Sequence, residues 1–322
     1  MADMEQDAER IRKIRRLKNE VYGEYGFFYY VPMAESYTVQ VPVTVSCSYR
    51  RCLYCDLNQG MPFRELSLDE INANLERLRV IHEKDIRPPR RFLLAGGNPF
   101  VLSTEKLLTV AERVRTVFPA CEYISCFARA DDVLRKTSAE LDTLRQAGFD
   151  RLCLGIESGS DCVLRYQEKG VGRAENAAAM SALDAAGIRY SAYIMLGLGG
   201  RDLSAGHVAG TASLLNAAHP FELTVVTLVL FRGARLVERV RAREFQRMTS
   251  LETLREGREL LSRLTLSTVW NATHKTNLFP VKGKLPEHKD LLLRRIDAAL
   301  EEMSRGDVKQ FELRRWQNWG TE

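Results

Sequence analysis

The sequence predicts an α/β fold, and three observations carry that prediction. From about residue 38, short β-rich runs alternate with longer helix-like segments, the pattern of successive βα units around a parallel sheet. The helical segments carry their own punctuation: Ser67 with Glu70 reads as a capping box, and Gly148 and Gly187 stand where helices should stop. The 322 residues are 45% hydrophobic and 28% charged, which suits a globular protein with a substantial core.

In chain order, residues 1–37 form an N-terminal extension. There Arg10, Arg12, Lys13, Arg15, Arg16 and Lys18 interleave with Ile11, Ile14 and Leu17 at helical spacing. A solvated amphipathic helix explains this more simply than a nucleic-acid contact, and the net charge of +5 is modest. The aromatic tract Tyr22, Tyr25, Phe27, Phe28, Tyr29 and Tyr30 is expected to pack in the core. Residues 38–232 form the main domain, with strands expected at 38–46, 91–95, 122–127, 151–157, 189–196 and 222–230. Helices are expected between them at 67–82, 104–118, 130–147, 173–186 and 204–218. The alternation then stops. Residues 233–322 read as a C-terminal helical extension, with helices at 250–266 and 287–303 around a loop holding His274, Lys275 and Asn277.

Six strands with intervening helices fit an open doubly wound sheet or a partial barrel, and periodicity does not choose between them. Either way, sites gather beyond the carboxyl ends of the strands. Those ends carry the cysteine loop after Ser46, Gly96-Gly97-Asn98, Glu157-Ser158-Gly159 and Gly197-Leu198-Gly199-Gly200.

Seven cysteines are too sparse for a disulfide scaffold in a chain of this length. Three of them cluster, as Cys47, Cys52 and Cys55 in the spacing C-x4-C-x2-C. Soft thiolates so spaced suit an iron–sulfur cluster. A structural zinc needs four protein ligands, yet the next cysteine is Cys121 and the nearest histidine His82. A plant-type [2Fe–2S] ferredoxin shares this opening and would take a distant fourth cysteine from Cys121, Cys126, Cys153 or Cys162. These four are otherwise expected to behave as small buried hydrophobes.

The loop from Cys47 to Cys55, with aromatic Tyr54 before its last cysteine, resembles the signature of the radical S-adenosylmethionine (SAM) superfamily. Its common form is C-x3-C-x2-C, and the first gap here is one residue longer. The variant is similar to that of largely anaerobic iron–sulfur oxidoreductases opening with C-S-x-x-x-C-x-[FY]-C. These are related to oxygen-independent coproporphyrinogen dehydrogenases and methylthiotransferase-type barrels. The resemblance covers about residues 31–300, with Gly155-Ile156-Glu157-Ser158-Gly159 as its other specific part.

The resemblance implies a partial (β/α)6 TIM-type barrel in which Cys47, Cys52 and Cys55 hold a [4Fe–4S] cluster. SAM would chelate the open iron and be cleaved reductively to a 5′-deoxyadenosyl radical that abstracts hydrogen from the substrate. Gly96, Gly97 and Asn98 would meet the SAM amino group, although Asn98 stands where the family has an acid. Glu157 would hold the ribose, Lys169 or Arg173 the carboxylate, and Tyr54 and the Gly197 loop the adenine. No side chain is assigned as catalytic, because the cofactor carries the hard chemistry. The implied partners are a small organic substrate and a reducing donor such as flavodoxin or ferredoxin. An RNA-modifying radical SAM enzyme is the alternative of the same family, although no added RNA-binding domain is evident. No apolar run approaches the roughly 18 residues that span a bilayer, and the first residues lack the apolar segment of a secretory signal. A cytoplasmic, oxygen-sensitive enzyme is therefore expected.

Overall fold

The computed structural model describes residues 2–23, 37–56 and 60–305, so most of the aromatic tract lies outside the described residues. The chain divides into two compact units. One comprises residues 1–50, 57–154 and 185–189, and the other residues 51–56, 155–184 and 190–322.

The first unit opens with α1 (Ala2–Tyr22), then β1 (Val39–Pro42), β2 (Thr44–Val45), β3 (Arg64–Glu65), α2 (Leu68–His82) and β4 (Arg91–Ala95). It continues through α3 (Thr104–Val117), β5 (Tyr123–Ala128), α4 (Ala130–Leu134), α5 (Ser138–Gln146) and the start of β6 (Leu152–Glu157). The second unit takes up the end of β6 and holds α6 (Asp161–Tyr166), most of α7 (Arg173–Ala185), β7 (Tyr190–Leu196), α8 (Gly200–Leu215) and β8 (Glu222–Thr227). After these come α9 (Leu236–Arg241), α10 (Ser250–Arg263), β9 (Thr268–Asn271), β10 (Lys282–Leu285) and α11 (Lys289–Arg305). The strands form one sheet of eight in the order β1-β4-β5-β6-β7-β8-β9-β10, with β2 and β3 as a separate pair. Where register is defined, every pairing in the larger sheet is parallel except β9 with β10. This is the α/β architecture of a partial TIM-type barrel.

The central strands are buried on both faces, as parallel strands under helices must be. Phe92, Leu93 and Leu94 of β4 are 0–1% exposed. In α1 the charged side chains from Arg12 to Lys18 face solvent, whereas Val21 is fully buried, and Glu20 pairs with Arg77 of α2 at 3.2 Å. The charge run in α1 is thus a wet helix face.

Three local differences from the expected elements have physical reasons. The first strand divides at Val43, which donates to Ala95 O of β4 at 3.1 Å while its own carbonyl accepts from the Leu66 N–H at 2.9 Å, so the chain beyond it turns to pair antiparallel with β3. The single helix expected over 130–147 is two. Thr137 caps the second, accepting from the Glu140 N–H while the Glu140 carboxylate takes the Thr137 N–H at 2.8 Å. The C-terminal extension is not wholly helical, because β9 adds to β8 in parallel and β10 to β9.

The capping box expected at Ser67 is formed: Ser67 Oγ accepts from the Glu70 N–H at 3.2 Å and Glu70 Oε2 from the Ser67 N–H at 2.7 Å. Ser67→Ala should lower stability by about 1 kcal/mol, read as an earlier urea unfolding midpoint. An unchanged midpoint would show that the cap is idle.

Candidate functional site

In the first unit the site residues are held by backbone approach and by one amide. Gly97 donates its N–H to Ser46 O at 3.0 Å. A Cβ on Gly97 would lie 2.6 Å from both Cα and Cβ of Cys47, so only glycine lets the loop after β4 lie against the first cysteine. Gly96 has φ of +147° and faces Thr44, whose Oγ1 a Cβ would strike at 1.9 Å.

Asn98 follows, 1% exposed, and its amide is fully engaged. Its Oδ1 accepts from the Ser48 N–H at 2.9 Å, and its Nδ2 donates to Ser48 Oγ and Asp132 Oδ2, both at 2.8 Å. The side chain that stands in place of an acid is therefore a brace between the cysteine loop and the start of α4. Asp132 also accepts from the Arg129 N–H at 3.1 Å. Burial pushes its carboxyl above the usual range, against these two hydrogen bonds. Arg129 in turn lies 4.0 Å over the Tyr49 ring. The Tyr49 N–H points at Cys47 Sγ at 3.5 Å, and such a contact to a thiolate is one of the devices that tune cluster potentials.

In the second unit Cys52, Tyr54 and Cys55 sit beside a buried ion pair. Lys169, 4% exposed, donates from Nζ to Glu157 Oε1 at 3.0 Å and to Tyr54 Oη at 3.3 Å. The two residues expected on the ribose and the carboxylate of SAM are thus each other's partner. Tyr54 is held in its neutral form: burial raises its pKa well above the ordinary phenol, and the nearby charges of Cys52, Glu157 and Cys55 add to this. Its ring packs with Leu53, Val163, Leu198, Leu236 and Phe245, with Cys52 and Cys55 at the margin. Arg173 is committed elsewhere, donating to Gly210 O and Ser213 Oγ of α8 at 3.0 Å each.

Backbone strain gathers in the same loops. Of the six non-glycine residues with positive φ among the described residues, Ser46 (64°) and Arg50 (52°) stand either side of Cys47, while Glu157 (63°) belongs to the ion pair and Glu168 (51°) directly precedes its Lys169. Such conformations cost about 1–3 kcal/mol each and collect where function demands a fixed geometry.

A third cluster had no local signal in the sequence, its members being drawn from β6, β7, α8 and α10. The Gly197 N–H donates to Glu256 Oε1 at 2.6 Å, and Ser204 Oγ donates to Glu256 Oε2. His207 shares a hydrogen bond of 2.8 Å between Nδ1 and Ser158 Oγ, and its Nε2 lies 3.8 Å from Glu256 Oε1. The loops after β6 and β7 are thereby tied to helix α10. Burial lowers the His207 pKa to about 4 and raises that of Glu256.

Among the described residues no group of three His, Cys, Asp or Glu is arranged to hold one metal ion. That describes single-ion sites such as zinc, whereas a cubane takes one thiolate on each of three irons. Cys47, Cys52 and Cys55 are half-buried and in no disulfide, which with the Gly97 cradle and the soft donor set fits a cluster. The more distant cysteines fit a fourth ligand poorly: burial raises the thiol pKa of both Cys126 and Cys121, opposing the thiolate a metal requires. Cys162 is exposed rather than buried, because the short helix α6 turns it to solvent beside Arg165, 3.7 Å away. In the C-terminal loop His274 Nδ1 bonds Thr276 Oγ1 at 2.8 Å, and Asn277 pins the loop to β8 and Ala272.

Lys169→Met leaves the Glu157 carboxylate buried and unpaired, and should cost about 3–5 kcal/mol. The double variant Lys169→Met/Glu157→Gln should recover much of this in urea denaturation, and additive losses would refute the coupling. His207 supplies a pH test. The unfolded chain takes up this proton near pH 6.5 and the folded protein only near about 4. The unfolded state therefore binds more protons between those values, and stability falls as pH is lowered from about 6.5 towards 4. Glu256 acts with the opposite sign but is common to the variant. Wild type should thus lose stability relative to His207→Gln across that interval, and parallel profiles would exclude the histidine as the cause.

No curated protein matches the sequence. Coproporphyrinogen III oxidase (HemN) from Escherichia coli, described as a radical SAM enzyme, superposes with a TM-score of 0.54 at 16% identity, covering 70% of this chain and 51% of that one. Methylornithine synthase (PylB) gives 0.50 at 15% identity, covering 78% and 66%. At such identities the likeness is one of fold. The chain spans 30% of the length of the cobalamin-dependent radical enzyme OxsB and 66% of that of methylornithine synthase. The profile of the Radical SAM superfamily matches residues 41–207, more than half of the 322, and the chain belongs to that superfamily.

Proposed function

We propose that the chain is an enzyme that reductively cleaves SAM and turns the resulting radical on a small organic substrate. The observation that carries this reading is the buried Glu157–Lys169 pair meeting Tyr54 directly beside Cys52 and Cys55. A mere iron–sulfur carrier has no use for a dry carboxylate, ammonium and phenol fixed beside its cysteines.

The roles follow from the side chains. Cys47, Cys52 and Cys55 would hold a [4Fe–4S] cluster through their thiolates. When bound, the cluster supplies the electron that breaks the sulfonium bond and SAM supplies the 5′-deoxyadenosyl radical. Gly96 and Gly97 let the backbone approach the amino group. Asn98 works through its backbone and fixes the cysteine loop with its amide. Glu157 accepts the ribose hydroxyls, Lys169 holds Glu157 in place and offers its charge to the SAM carboxylate, and Tyr54 and Gly197 border adenine. Arg173, engaged with α8, stabilises the scaffold. A reduced flavodoxin or ferredoxin serves as electron donor. Among the described residues no helix is long and apolar enough to cross a membrane.

The test is anaerobic. Cluster-reconstituted protein with SAM and a strong reductant should release 5′-deoxyadenosine and methionine, and Cys55→Ala should reduce both to background. Intact [4Fe–4S] protein that leaves SAM whole would sink the proposal, and a stable [2Fe–2S] cluster would favour electron transfer.

A further inference from the structure

The second unit contains a cavity of about 510 Å³ that none of the residues assigned to SAM lines, in the size range of small-molecule sites. It opens where Leu196 ends β7 and its register partner Thr227 ends β8, on the strand edge where ligands of such folds gather. Its walls are the apolar side chains of Leu254, Trp270, Phe279 and Val281, with hydroxyls from Thr227, Ser250, Thr253 and Thr276. The charges are one-sided. Arg247 and Lys275 both line it, and no carboxylate does.

One further fact marks a built site. The loop carrying Lys275 is fixed in advance. Asn277 donates to Val225 O at 2.7 Å and Ala272 O at 2.8 Å, accepts from Thr227 Oγ1 at 2.9 Å, and Thr276 Oγ1 accepts from the Thr227 N–H at 3.1 Å. A preformed wall spares a ligand the cost of ordering it.

We propose that this cavity binds an organic anion, an apolar body with a carboxylate or phosphate head. The head meets Arg247 and Lys275, and the body lies against Leu254 and Phe279. SAM itself is the wrong ligand, since its sulfonium and ammonium outweigh its single carboxylate and two lining cations repel a net cation. That the bound anion is the molecule attacked by the radical rests on the SAM-cleaving function proposed above; that the cavity binds it does not.

The full-length protein should bind anilinonaphthalenesulfonate, an apolar anion that fluoresces in dry sites, with one-to-one stoichiometry. Its affinity should exceed that of neutral N-phenylnaphthylamine by about tenfold or more. Arg247→Gln/Lys275→Gln alters only exposed side chains and should erase that preference. Val229→Trp, at the half-exposed rim, should weaken both probes. Displacement by phenylbutyrate or by phenyl phosphate, but not by phenylbutanol, supports the proposal and identifies the head group. Equal affinity for the two probes, displacement by the alcohol, or anion binding that survives both variants overturns it. The readout needs neither cluster nor SAM. A failure here therefore leaves SAM cleavage standing, and absence of 5′-deoxyadenosine leaves this binding standing.

Discussion

Glu157 and Lys169 are both nearly out of contact with water, and neither charge is tolerable there alone. Desolvating an ion costs several kcal/mol, and a close partner with good geometry offsets it only in part. Glu157 also sits on left-handed backbone at the end of β6, a conformation that packing must impose on any residue with a side chain. The pair therefore adds little net stability and instead fixes position: it joins the strand end to the turn between α6 and α7 and gives the Tyr54 hydroxyl a donor. The sequence around it follows from that. Gln167, next in that turn, is fully buried and donates from its side chain to Leu198 O at 2.7 Å, while its own carbonyl accepts from the Leu53 N–H at 3.0 Å. Tyr54 and the ion pair are thus held from behind by buried polar contacts.

The first unit solves a similar problem without a charge pair. There the brace is the neutral amide of Asn98. Asn98 can offer two donors and an acceptor at once, and all are used. An acid at that position would have no donors for Ser48 Oγ or Asp132, and would set a second carboxylate against the one already present. The amide thus holds Ser48, the residue directly after the first cysteine, through both its backbone and its hydroxyl.

Much of this was legible in the sequence, for reasons that differ by element. The strand over 91–95 coincides with β4, since a buried parallel strand shows as an unbroken apolar run, and α2 begins where Ser67 and Glu70 announce it. The cysteine spacing pointed to iron–sulfur chemistry because three soft donors within nine residues have few other uses. What escaped depends on partners distant in sequence. Thr268, Val269 and Trp270 carry β-branched and aromatic signals, but four residues are too few to stand out. Lys282-Gly283-Lys284-Leu285 has no strand signal and becomes β10 only because β9 offers it an edge. His207 and Glu256 are ordinary helix residues until their helices pack. Glu157 and Lys169 were each read as facing a ligand, and only packing shows that they face each other.

The hold of Glu256 on Gly197 bears on what counts as a domain here. The stretch that matches the family ends at residue 207, yet the amide of its last glycine loop is closed by a carboxylate 59 positions beyond that glycine. A polypeptide trimmed to the matched stretch would retain every cysteine of the signature while leaving Gly197, Ser204 and His207 without the group that organises them. The unit defined by ancestry is shorter than the unit able to keep its own shape, and a minimal fragment would have to run through α10.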